Sequence, residues 1–174
     1  KQLREEQLEY LAKLQQNKYA DIGDPEILSR ISQYEMAFRM QTSVPDVMDL
    51  SEEPDYIYDM YGEDSKKPGT FAANCLLARR LVEKDVKFIQ LYHQGWDMHG
   101  GLPKSIGAQS RDVDQATAGL IKDLKQRGLL DSTIVHWGGE MGRLPVIQFR
   151  NGLSDRNAVG RDHNTYGFSQ WVAG

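Results

Sequence analysis

The chain has 174 residues, 40% hydrophobic and 26% charged, with 16 Gly and 6 Pro, a composition able to bury one real core. Its 21 Lys plus Arg stand against 25 Asp plus Glu, a formal net charge of −4. That balance argues against nucleic acid and against an anionic membrane surface as main partners. No apolar run approaches the ~20 residues of a membrane span. Cys75, the single cysteine, excludes an internal disulfide and a cysteine-based zinc site.

The first half reads as helical. Leu3, Leu8, Leu11 and Leu14, with Tyr10, fall near one face of a helix otherwise rich in Glu, Gln and Lys. Asp24 before Pro25 marks a second helix start: an acceptor for the first amides, then a residue whose missing N–H is not needed there. Ile27, Ile31, Tyr34 and Phe38 carry that helix to about Gln41. A turn-prone acidic stretch follows from Ser43 to Gly69, broken by Pro45, Pro54 and Pro68, with a short helix predicted from Asp55 to Met60.

From Thr70 the pattern changes. Phe71 to Glu83 reads as a helix with a broad buried face, and Val86 to Tyr92 as a short strand. Asp112 to Arg127 reads as a second helix, stopped by Gly128. Thr133 to Trp137 reads as another strand. Alternating helix and strand with short links predicts an α/β class, a parallel sheet flanked by helices with a helical N-terminal portion. The expected organisation is one domain, with a helical segment and loop over 1–69 packing on an α/β part over 70–174. Lys1 at one end and a strand-like Ser169–Gly174 at the other predict an internal fragment of a longer protein, incomplete at both ends.

In open parallel sheets ligands bind beyond the carboxyl ends of strands, and the polar residues at those positions form three clusters. They are Gly95-Trp-Asp97-Met-His99-Gly-Gly101, Gly138-Gly-Glu140-Met-Gly142-Arg143 and Gly160-Arg161-Asp162-His163-Asn164. Asp, Glu and His converging from such segments are a ligand set for a divalent metal. The same residues beside glycines are also ordinary turn formers. Both readings stand at this level. Arg143 suits an anionic oxygen or a surface ion pair, and Arg161 beside Asp162 carries the same ambiguity. His93 and His136 read as packing or structural residues, Arg79-Arg80 as a solvated helix face, and Cys75 as a buried inert thiol.

These clusters resemble domain-of-unknown-function family 1501, whose members are labelled sulfatase-like within the alkaline phosphatase superfamily. The resemblance rests also on Tyr34-Glu-Met-Ala-Phe-Arg-Met-Gln41 with Val44-Pro45, on Leu76-Leu-Ala-Arg-Arg-Leu-Val-Glu83 and on Asp123-Leu-Lys-Gln-Arg-Gly-Leu-Leu-Asp131, running from about Asp24 onward. It implies an alkaline phosphatase-like fold and a metal-dependent hydrolase of sulfate or phosphate esters, holding zinc, calcium or manganese. Asp97, His99 and His163 resemble the ligands of one metal, and Glu140 a contributor to a second site. Arg143, Asp162 and Arg161 would orient ligands or meet the substrate anion. Two features depart from the pattern: no histidine adjoins Glu140, and Arg143 is followed by Leu144-Pro145 where the family carries Thr-Pro. The family's nucleophile belongs to a strand upstream of Lys1, so the chain alone is expected to be inactive.

The resemblance further implies an exported protein acting on small-molecule or polysaccharide esters. A different class is a non-catalytic binding or structural protein that kept the fold. A third is a glycoside hydrolase with Asp97 and Glu140 as its carboxylate pair, which needs them about 5–10 Å apart and leaves the two histidines without a role.

Overall fold

A computed structural model describes residues 2–149 and 155–174; the side chains of residues 2–5, 8 and 39–43 also lie outside the described set, and with them the expected roles of Leu3 and Leu8. The chain forms two compact units, divided after Leu50.

The first unit is a helical hairpin of α1 (Gln2–Ile22) and α2 (Pro25–Met48). Gly23 turns the chain at a φ of 73°, where a side chain would be strained. Asp24 then caps α2, its carboxylate accepting from the Glu26 amide at 2.9 Å. The helix runs past the expected end near Gln41. Pro45 lies inside it, and although its ring removes one amide, its carbonyl still accepts from Asp49 at 3.1 Å. Leu11 and Leu14 remain 46% and 47% exposed, so the expected apolar stripe is only half covered.

The second unit is built on three helices: α3 (Asp55–Tyr61), α4 (Phe71–Glu83) and α5 (Leu102–Gln126). Thr70 caps α4, its hydroxyl accepting from the Ala73 amide at 3.1 Å. Beyond α5, Gly128 adopts a φ of 68°, and the amides of Gly128 and Leu129 return to the carbonyls of Lys125 and Leu124. This paired closure is the expected glycine stop. Ile57, Tyr61, Ala72, Ala73, Cys75, Leu76, Ala116, Leu120 and Leu124 form the core between the helices. Gly119 lets α3 cross α5 at backbone contact, since a Cβ there would sit 2.8 Å from the Met60 carbonyl oxygen.

Beneath this core lies a charge network where a solvated helix face was expected. Arg79 is 2% exposed. Its guanidinium donates to Glu53 at 2.6 Å and Glu83 at 2.8 Å. Its Nε lies 2.9 Å from Asp123 as an ion pair without hydrogen-bond geometry. Arg127 bonds both Asp123 and Glu83 at 2.6 Å, Arg80 reaches Glu53 at 2.9 Å, and the Tyr61 hydroxyl donates to Asp123 at 3.1 Å. Burial opposes the Arg79 charge, but the Glu53 and Glu83 hydrogen bonds outweigh it and raise its pKa. Burial, then the Asp123 charge, raises that of Tyr61.

The expected α/β architecture is not formed, and with it falls the alkaline phosphatase-like fold. Among the described residues both sheets are two-stranded and antiparallel. Strand β1 (Val135–Gly138) pairs with β4 (Gln170–Ala173), Trp137 opposite Trp171, and β2 (Gly142–Arg143) pairs with β3 (His163–Asn164). Val86 to Tyr92 forms no strand and bends at Lys87, leaving Phe88 and Tyr92 77% and 80% exposed. No helix among the described residues is long and apolar enough to cross a membrane.

Candidate metal centre

The site is assembled from the loop preceding α5, from β2, and from β3 with the segment leading into it. Backbone bonds join the first and third. The amides of Gly101 and Leu102 donate to Ala158 and Val159, and Arg161 donates to Met98 at 3.1 Å. Buried Met98 and Val159 anchor the junction. Gly160 is required there because a Cβ would collide with the carbonyls of Met98 and His99. Gly160 and Gln148 exchange both backbone hydrogen bonds, and Leu144 donates to Asp162 at 2.8 Å. The β2–β3 register then sets Arg143 directly opposite His163.

This arrangement brings Asp97, His99 and His163 together. Asp97 Oδ1 lies 2.9 Å from His163 Nε2 and 3.0 Å from His99 Nε2, and the two Nε2 atoms are 3.2 Å apart. Arg143 Nη2 donates to the same Asp97 oxygen and to the Trp96 carbonyl. Its Nη1 donates to the Arg161 carbonyl at 3.1 Å and faces His99 Nε2 at 3.4 Å. The hydrogen bond from His163, then that from Arg143, holds the Asp97 carboxyl at about 2, below its ordinary 3.8.

The partners assign the ring protons. A guanidinium only donates, so His99 Nε2 presents a lone pair, and Nδ1 carries the proton toward Gln148 Oε1 at 3.4 Å. His163 Nε2 donates to Asp97. Asp162 accepts the His163 amide at 2.8 Å and lies 3.7 Å from His99 Nδ1.

Of the residues singled out in the sequence, Arg143 and Asp162 therefore touch the trio directly. Arg161 contributes backbone groups to it, and its side chain is exposed. Glu140 is exposed in the bend between β1 and β2 and is not part of the trio. His93 packs edge-on against Phe71 and Trp96, its Nδ1 accepting the indole N–H at 2.9 Å. His136 is exposed on β1, and Cys75 is buried, which pushes its thiol up to about 12. Two contributors escape a motif reading. Gln148 shows only as one polar residue within Val146-Ile-Gln-Phe149, and the Trp96 carbonyl carries no side-chain signal.

No curated protein and no solved structure matches the chain significantly. A family model described as a protein of unknown function (DUF1501) matches residues 1–174, and the chain belongs to that family.

Proposed function

We propose that Asp97, His99 and His163 hold a divalent cation, and that this centre serves a metal-dependent hydrolase of phosphate or sulfate esters. One observation carries the reading: three ligand atoms of mixed oxygen and nitrogen type lie 2.9, 3.0 and 3.2 Å from one another. A tetrahedral shell at about 2.0–2.1 Å separates neighbouring ligand atoms by about 3.3–3.4 Å, close to this triangle. Two imidazoles favour zinc or manganese over calcium, which prefers oxygen. Three protein ligands leave a position open, as catalytic sites do and closed structural sites do not.

The chain's own residues fit that task. Asp97 stays ionised, so it offers a full charge, and a bound cation would displace the Nε2 proton that His163 donates to it. Gln148 fixes the His99 tautomer and Asp162 fixes the His163 backbone, the supporting role that outer partners play at metal sites. A bound cation would supply charge stabilisation at an ester oxygen.

A second reading, a binding protein without turnover, is favoured by one feature. Among the described residues, the side chains hydrogen-bonded to the trio are Arg143, Gln148 and Asp162, none a hydroxyl or thiol nucleophile. Calorimetric titration with Zn²⁺ and Mn²⁺, followed by assay of aryl phosphate and aryl sulfate on the loaded intact protein, tests both. Binding of about one ion with metal-dependent hydrolysis supports the hydrolase. Binding without hydrolysis favours the second reading, and no binding rejects the centre.

A further inference from the structure

One fixed positive charge already rests on the centre. Arg143 donates from Nη2 to Asp97 Oδ1 and faces His99 Nε2 from Nη1 at 3.4 Å. These are two of the three atoms the cation would use. Both are acceptors, 3.0 Å apart, and their lone pairs repel one another unless positive charge lies against them. The guanidinium supplies that charge. A divalent ion on the same atoms would meet the guanidinium at close range, where like charges repel strongly. His99 Nε2 has a single lone pair, so it cannot face the guanidinium and ligate the cation at once.

The rest of the guanidinium's bonding makes this a built-in contest and not a chance contact. Nη1 and Nη2 are also held by the neutral carbonyls of Arg161 and Trp96, at 3.1 and 3.2 Å. Those bonds keep Arg143 beside the centre whether or not it rests on Asp97. Backbone pairing of Arg143 with His163 fixes its origin one strand away from a ligand.

We infer that Arg143 is a tethered competitor for the cation at Asp97, His99 and His163, setting the concentration at which the centre loads. The inference rests on the cation-binding reading above. It has a sign that a merely positioning arginine lacks. If Arg143 only held the loops together, removing its charge would weaken cation binding; as a competitor, its removal tightens binding.

The test compares Zn²⁺ and Co²⁺ affinity in the wild-type chain, Arg143→Gln, Arg143→Lys and His163→Ala, with circular dichroism as a fold control. Arg143→Gln should bind about tenfold tighter or more, an advantage larger at low ionic strength. Arg143→Lys keeps the charge and should stay near wild type. In wild type, the Arg143 Nε resonance should shift as Zn²⁺ is added, a readout independent of any variant's folding. Equal or weaker binding by a folded Arg143→Gln, or an unmoved Arg143 resonance on saturation, overturns the competitor while leaving the centre standing. Zinc bound by neither wild type nor Arg143→Gln rejects the centre and the competitor together.

Discussion

His99 and His163, 64 residues apart in sequence, bring their Nε2 atoms to 3.2 Å, with one oxygen of Asp97 within 3.0 Å of both. The chain achieves this by zipping the Met98–Leu102 backbone onto Ala158–Arg161 and pairing Arg143 with His163. The ligands are thus set by backbone hydrogen bonds on short segments, with a glycine at the tightest crossing.

The two histidine supports differ in kind. His163 offers a ligand atom, whereas the Asp162 carboxylate accepts the His163 amide and stands 3.7 Å from His99. His163→Ala should abolish measurable Zn²⁺ binding, and Asp162→Ala should weaken it by about 10–100-fold. Calorimetry on both variants decides; equal and negligible effects would remove the assignment.

Asp97 gives a pH signature. Its carboxyl sits at about 2 in the folded chain against an ordinary 3.8. A lowered folded value means its stabilisation is complete above about 3.8 and fades as pH falls towards about 2. Asp97→Asn should lose that part of the acid-unfolding profile. In His163→Ala the carboxyl, followed by NMR, should titrate higher, since the His163 hydrogen bond is the largest cause of the shift. An unmoved midpoint would contradict it.

Gly160 packs its Cα against the carbonyls of Met98 and His99. Gly160→Ala should therefore destabilise by ~1–3 kcal/mol, the ordinary range for overpacking, and should also weaken cation binding by displacing His99. Urea unfolding beside a Zn²⁺ titration measures both. Unchanged stability and affinity would show that the crossing has slack.

The buried network should be costly to break. Arg79 and Asp123 are 2% and 1% exposed, and removing either leaves the remaining buried charges with fewer partners. Arg79→Met or Asp123→Ala should lose ~3–5 kcal/mol. Losses below about 1 kcal/mol in denaturant melts would mean the network relaxes or admits water.

Local signals were legible where they depend on near neighbours. The Asp24-Pro25 start, the Phe71–Glu83 helix and the Gly128 stop each rest on caps and periodicity within one element, and each is formed. Strand partners are a long-range matter. Val86–Tyr92 has strand composition, but composition names neither a partner nor a direction, and the segment pairs with nothing among the described residues. Thr133–Trp137 became β1 in large part, yet its partner is the antiparallel Gln170–Ala173. The pattern predicts α5 only from Asp112, because Gly101 and Pro103 open the helix without an apolar stripe or a side-chain cap. Arg79 looked solvated because its three acidic neighbours, Glu53, Glu83 and Asp123, are spread over 70 positions.

Elemental analysis of the purified protein beside His163→Ala, after equilibration with Zn²⁺ and desalting, tests the cation centre most directly. About one zinc per wild-type chain, lost in the variant, is the expected result. Zinc absent from both, or retained in full by His163→Ala, would contradict it.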